Sequence, residues 1–171
     1  TLYTSTDMAS VDAAQIIEKI ITEISALQDA RGLAIETDLQ SFQMYPDQAV
    51  PLSMLISEAM TNVAKYARGQ DGKQSEAAVS LKLDAASGTV TLRIDNSIAP
   101  PTSSEDGAHQ NVDSGGLGTK LMAAFVGQLD GEAEVRQTPE RYVYRVTFPL
   151  RGFEPDEADD RAESGAAADA A

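Results

Sequence analysis

Glu58, Asn62 and Lys65 stand at positions i, i+4 and i+7 of a stretch, Leu52 to Tyr66, whose apolar residues Leu52, Leu55, Ile56, Ala59 and Val63 recur at helical spacing. On a helix that spacing stacks an acid, an amide and a cation along one side. A carboxylate and an amide oxygen are hard ligands suited to Mg²⁺, and a nearby ammonium suits a phosphate. An ordinary solvated helix face with an i,i+4 pair would read the same way, so the pattern alone leaves both open. A second group, Gly115-Gly116-Leu117-Gly118-Thr119-Lys120, opens a further helical stretch. Glycines there let backbone amides approach a ligand, and the helix dipole favours an anion; a plain turn would also use them. Asp95 ends a strand pattern, where its carboxylate could accept a hydrogen bond from an adenine amino group or simply begin a turn.

The chain around these residues has 171 positions and a mass of 18.1 kDa, the size of one domain. Hydrophobic residues make up 42 %, enough for a core, but aromatics are only 5 % and Trp is absent, so aliphatic side chains must fill it. The formal charge of −14 repels a phosphate backbone and argues against nucleic acid or an anionic membrane as partner. An anionic ligand would need backbone amides, a metal ion or a few placed cations. Cysteine is absent, which removes disulfides and thiolate chemistry and is compatible with a reducing cytoplasm. The single histidine, His109, excludes a multi-histidine metal centre. No apolar run of membrane-spanning length and no signal peptide are present, and the expected location is cytoplasmic. The first residue is Thr, which predicts a piece of something longer or a processed product.

Periodicity supplies the frame. Asp12 with Gln15 has the form of a capping box, and Ile16, Ile17, Ile20, Ile21, Ile24 and Leu27 give an apolar helical stripe ending before Gly32. Leu33–Leu39 alternates as a short strand, and a second helix runs from near Asp47, with Pro51 in its early turns, to about Arg68. Two strands, around Ala78–Leu83 and Thr89–Asp95, are joined by Ala-Ser-Gly; in the second, Val90, Leu92 and Ile94 face one way and Thr91 and Arg93 the other. Asn96 to Gly115 has no periodicity, and loops of that length are usually functional. A third helix runs from Gly116–Gly118 to about Leu129, and Glu132–Gln137 and Tyr142–Leu150 form a closing hairpin. The order α β α β β, loop, α β β predicts an α/β fold, a two-layer sandwich with helices on one face of a mixed sheet. From Arg151 to Ala171, seven acids against two arginines among Ala, Gly and Ser predict a disordered acidic tail. Without it the body keeps 20 acids and 11 bases, a charge of −9.

The order of these elements resembles the ATP-binding catalytic domain of bacterial sensor histidine kinases, in the Bergerat (GHKL) ATPase superfamily. Ser57-Glu-Ala-Met-Thr-Asn-Val-Ala-Lys-Tyr-Ala looks like that family's N box, most similar to the HisKA_2 and HWE-like groups. Gly116-Leu-Gly-Thr-Lys-Leu-Met and Gln128-Leu-Asp-Gly look like the second glycine box and its ending, and Thr1-Leu-Tyr-Thr-Ser resembles the close of the phosphoacceptor helical hairpin. The resemblance implies a Bergerat fold over residues 11–150 with a mainly antiparallel mixed sheet, about three helices on one face, and an ATP lid at about 97–115. Residues 1–10 would end the preceding hairpin or linker, and 151–171 would be the tail. It further implies ATP and Mg²⁺ as cofactors. Asn62 would coordinate the metal, Glu58 would orient water or act as a base, and Lys65 would contact phosphate. Asp95 would read the adenine amino group, and the amides of Gly116, Leu117, Gly118 and Thr119 would meet the phosphates.

The implied activity is transfer of the ATP γ-phosphoryl group to a histidine outside this segment, for relay to the receiver domain of a response regulator. The implied partners are that hairpin, in cis or trans, and the regulator, with a homodimer formed through the hairpin and no direct membrane contact. His109 falls in the lid and is not the acceptor. The family's first glycine box reads Asp-x-Gly-x-Gly, whereas Ser97 and Ala99 stand at the glycine positions here. That departure supports an alternative, a degenerate Bergerat domain that docks a response regulator without turning over ATP. An anti-sigma-factor serine kinase of the same superfamily is a third reading, against which the region of Tyr3 argues.

Overall fold

Asp12 starts the first helix as its spacing predicts: its Oδ1 accepts a hydrogen bond from the Gln15 amide at 3.1 Å. The Ser41 hydroxyl also donates to this carboxylate, and that bond, followed by the helix-start amides, holds its pKa below the ordinary aspartate value. The structure is a computed structural model that describes residues 9–28, 32–69, 73–99 and 116–155. Its elements are β1 (Val11–Asp12), α1 (Ala13–Gln28), β2 (Leu33–Leu39), β3 (Gln43–Met44), α2 (Pro46–Tyr66), β4 (Ser75–Leu83), β5 (Thr89–Ser97), α3 (Leu117–Gln128), β6 (Glu132–Gln137) and β7 (Arg141–Pro149). The two-residue strands β1 and β3 pair with each other, a contact too short to leave a period in the sequence. The expected hairpin end at Thr1–Ser5, most of the lid and His109 lie outside the described residues.

The main sheet has five strands in the order β2-β4-β5-β7-β6; β2 and β4 run parallel and the other pairs antiparallel. This is the expected two-layer α/β arrangement with three helices. On the helix-facing side Ala77, Val79, Leu81, Val90, Leu92, Ile94, Tyr144, Val146 and Phe148 join one apolar cluster with Ile17 and Ile21 of α1, Leu52, Leu55, Ile56, Met60 and Val63 of α2, and Val126 of α3. Each fully buried aliphatic side chain contributes about 1.5–3 kcal/mol, so this side of the sheet carries the fold. The α1 stripe stops short of its expected end, because Leu27 is 80 % exposed where the helix runs past the core. The opposite side of the sheet alternates charged and small polar residues, among them Arg93, Arg145, Ser80 and Thr91.

Two boundaries differ from the sequence expectation. β5 does not stop at Asp95: Asn96 pairs with Ala77 and Tyr142, and Ser97 pairs with Arg141. The Ser97 hydroxyl accepts from the Glu76 amide at 2.9 Å and donates to the Glu76 carbonyl at 3.3 Å. The Ile98 amide then donates to the Glu140 carbonyl at 3.0 Å, so the start of the expected lid belongs to the sheet. The second boundary concerns the tail, whose first residues are fixed. The Arg151 guanidinium meets Asp47 and, at 3.2 Å, Asp130, while its amide donates to Gln48 Oε1 at 2.9 Å. Phe153 seats its ring over Gly88, which has φ +70° and no room for a Cβ. Acidic composition hid these anchors because arginine and phenylalanine each occur once among the segment's first four residues.

Gln48 ties α2 to the end of the sheet. It is fully buried, and its Nε2 donates to the Pro149 carbonyl at 2.8 Å while Oε1 accepts from Arg151. Gln48→Leu strands two backbone groups, and urea denaturation should show a loss of about 2–4 kcal/mol. A second measurement concerns Tyr144, 8 % exposed in the core, whose phenol is pushed up to about 12 by burial and then by Tyr142. The folded state therefore disfavours the phenolate. The contribution is complete below the ordinary value of 10 and is lost as pH rises from there to about 12. Stability should fall by about 3 kcal/mol over that window, and Tyr144→Phe should flatten the fall in denaturation curves taken at stepped pH.

Candidate nucleotide site

Helix α2 positions the polar row because its other side is spoken for. Leu52, Leu55, Ile56, Ala59, Met60 and Val63 are buried against the sheet, which leaves Glu58 and Asn62 half-buried at the margin of that contact and Lys65 exposed. The start of α3 lies directly across from them. A Cβ built on Gly118 would stand 2.5 Å from Glu58 Oε1, so the absence of a side chain at 118 is what admits the carboxylate. One turn further along both helices, Asn62 Nδ2 donates to the Met122 sulphur at 3.5 Å. The helices thus meet at two matched levels, 58 with 118 and 62 with 122. Met122 has no place in the motif that marked the site, and only helical spacing from Gly118 points to it.

The α3 terminus is open in the way an anion site needs. Gly116 is its N-cap with φ −66° and ψ 164°, no side chain caps the helix, and no acid occupies the first turn. Leu117 is 74 % exposed beside the half-buried Gly116 and Gly118. Helix-start amides and the dipole give this end partial positive charge. Among the described residues no group of three or more His, Cys, Asp or Glu gathers in a way that could hold a metal ion. A magnesium ion here would accordingly take most of its ligands from water and phosphate, which is its usual habit. The donor set fits that arrangement: with Nδ2 turned to Met122, Asn62 keeps Oδ1 free of any donor among the described residues, and Glu58 lies one turn away.

Asp95 is not brought to this group. Alternation along β5 puts it on the sheet face away from the helices, opposite Ala78 and Val143. There it is 3 % exposed, ion-paired to Arg93 at 2.7 Å and to Arg141. Both of its oxygens are engaged by guanidiniums. The same face has a cavity of ≈ 230 Å³ lined by Arg93, Glu134, Arg136, Val143 and Arg145, whose guanidiniums are largely paired with carboxylates. The residue that β5 does present to the helix side is Asn96, 4 % exposed. The alternation of Val90, Leu92 and Ile94 runs on to it, a signal that the motif match at Asp95 overrides.

The contact of Gly118 with Glu58 is measurable. Gly118→Ala should leave stability within about 1 kcal/mol, because helix propensity gained offsets displacement of a flexible carboxylate. In a Glu58→Ala background the same change should stabilise by about 0.5–1 kcal/mol. A double-mutant cycle by urea denaturation reads the difference.

No family model and no curated protein sequence matches this chain. Solved structures do. The histidine kinase domain of the blue-light activated histidine kinase EL346 from Erythrobacter litoralis superposes with a TM-score of 0.71 at 14 % identity, covering 88 % of this chain and 66 % of that one. The mycobacterial sensor histidine kinase MprB gives a TM-score of 0.64 at 16 % identity, covering 84 % of this chain and 99 % of that one. Full-length ShkA, solved in complex with AMPPNP, gives 0.61 at 12 % identity over 88 % of this chain and 32 % of its own. The chain therefore spans just under two thirds of the EL346 domain and about a third of ShkA. Its α/β architecture, a mixed five-stranded sheet under three helices, is the fold of histidine kinase catalytic domains.

Proposed function

We propose that this chain is the ATP-binding catalytic domain of a two-component sensor histidine kinase. The observation that carries the reading is the convergence of Glu58 and Asn62 with the uncapped, acid-free start of α3, in a fold shared with such domains. A nucleoside triphosphate would meet helix-start amides at α3 for its phosphate oxygens and a hard oxygen on Asn62 for the metal, with the Lys65 ammonium further along the same row of α2. Mg²⁺, bound with the nucleotide, would neutralise charge on the phosphate oxygens. In a chain of charge −14, placed amides and one ammonium are an economical way to receive an anion.

The reaction is phosphoryl transfer to a histidine on a helical hairpin, in the same chain or a second one, followed by relay to the receiver domain of a response regulator. The lone pair of an imidazole nitrogen forms the new N–P bond. The bond from the γ-phosphorus to the bridging oxygen breaks, ADP leaves with that electron pair, and the proton on the other ring nitrogen passes to solvent. The residues named here position the phosphates and hold charge rather than forming covalent intermediates. No described helix is long and apolar enough to cross a membrane.

Calorimetric titration with AMPPNP, with and without Mg²⁺, tests the reading. Micromolar, Mg²⁺-dependent binding is expected, and Asn62→Ala should weaken it at least about tenfold, equivalent to 1.4 kcal/mol. A folded sample that shows no heat and no thermal shift at millimolar nucleotide would refute it and favour a docking role without turnover.

A further inference from the structure

We infer that β6 is a self-association edge: two copies of this chain pair their β6 strands antiparallel about Val135, joining their five-stranded sheets. The nucleotide site has no part in it. β6 ends the sheet, and among the described residues no strand runs along its other side. Every residue of Glu132–Gln137 is exposed, Val135 by 53 %. Such an edge is a template for another strand unless charge or shape blocks it.

Hydrogen-bond phase and side-chain order choose both the partner and the register. The Thr138 amide donates to the Arg141 carbonyl at 2.9 Å, so these two residues form a hydrogen-bonded pair of the hairpin. Two-residue steps along the antiparallel ladder then turn the backbone groups of Arg136, Glu134 and Glu132 toward β7. Ala133, Val135 and Gln137 direct their N–H and C=O to the open edge. Val135 opposite Val135 of a second copy, with Ala133 opposite Gln137 on either side, satisfies those groups. In that register Glu134 stands opposite Arg136 of the second copy, and Arg136 opposite its Glu134, on the outer face of the sheet. The two Val135 side chains meet on the helix-facing side, the side of Tyr144, its partner on β7.

Other registers fail. Centring on Glu134 or on Arg136 opposes identical charges, and centring on Ala133 sets Glu132 against Glu134. Centring on Gln137 brings Pro139, which has no N–H, against Val135. The opposite edge of the sheet, β2, offers no such match, because its outer face carries Ala34, Glu36 and Asp38 with no cation. A strand reading Glu-Ala-Glu-Val-Arg-Gln is thus complementary to its own copy in one register.

Sedimentation equilibrium on the 171-residue chain, from about 10 μM to about 1 mM, tests this. Salt at about 0.15 M shortens the screening length to about 8 Å, so that long-range repulsion between copies of charge −14 does not mask contact pairs. Wild type should pass from monomer to dimer within that range, as suits a small interface. Arg136→Glu should weaken the dimer by about tenfold or more, because like charges then meet on both sides of the two-fold axis. Adding Glu134→Arg to it should restore the wild-type strength, which only the register about Val135 permits. Val135→Pro removes an N–H that serves the second copy and none of the β6–β7 bonds, and it should be monomeric throughout. Should Val135→Pro fail to fold, the charge variants still decide. A wild type that stays monomeric at the highest concentration overturns the assignment. So does a dimer that Arg136→Glu leaves unchanged, or one that the folded double variant does not recover.

Discussion

Burial of the α2 stripe against the sheet is the constraint on which the other arrangements depend. Leu52, Leu55, Ile56, Ala59, Met60 and Val63 are all nearly inaccessible, so the rotation of this helix about its axis is set by the core. Once that rotation is set, Glu58 and Asn62 can lie only along the margin that α3 approaches. The polar row is held in place by apolar side chains on the other side of the same helix. Gln48 adds the axial constraint by bonding the C-terminal end of β7 and the residue just past it.

Helix α3 answers that margin with small and soft residues. Gly118 leaves space for the Glu58 carboxylate, and Met122 turns a polarisable sulphur toward Asn62. Neither contact consumes the amide oxygen. A close helix pair and an available hard ligand are thereby compatible, which a bulkier or more polar residue at either position would upset. The uncapped N-terminus of α3 adds backbone donors to the group, in keeping with a protein whose charged side chains are predominantly acidic.

The two faces of β5 separate roles that a motif reading merges. Asp95 and Ser97 belong to the outer side and its bonds, the acid with Arg93 and Arg141 and the hydroxyl with both backbone groups of Glu76. Ser97 thus has a structural account: its hydroxyl locks β5 to β4 and carries the strand two residues past Asp95. Asn96, between them in sequence, is on the other side of the sheet. A single-residue step along a strand is a change of environment from ion-paired surface to helix-covered interior.

The sequence by itself determined the two-layer architecture, the order and type of every long element, and the helical row of Glu58, Asn62 and Lys65. Those follow from period and from local caps, which are properties of neighbouring residues. It could not determine that Arg151 and Phe153 are anchored, because their partners Asp47, Asp130 and Gly88 come from distant segments. Nor could it pair Glu58 with Gly118 or Asn62 with Met122, contacts across 60 residues that exist only once two helices are laid on one sheet. The side of β5 that meets the helices is the clearest division. Alternation and the apolar side of β5 were written in the sequence, but that Asp95 is held by Arg93 and Arg141 while Asn96 is 4 % exposed on the other side was decided only when neighbouring strands and helices were packed around it.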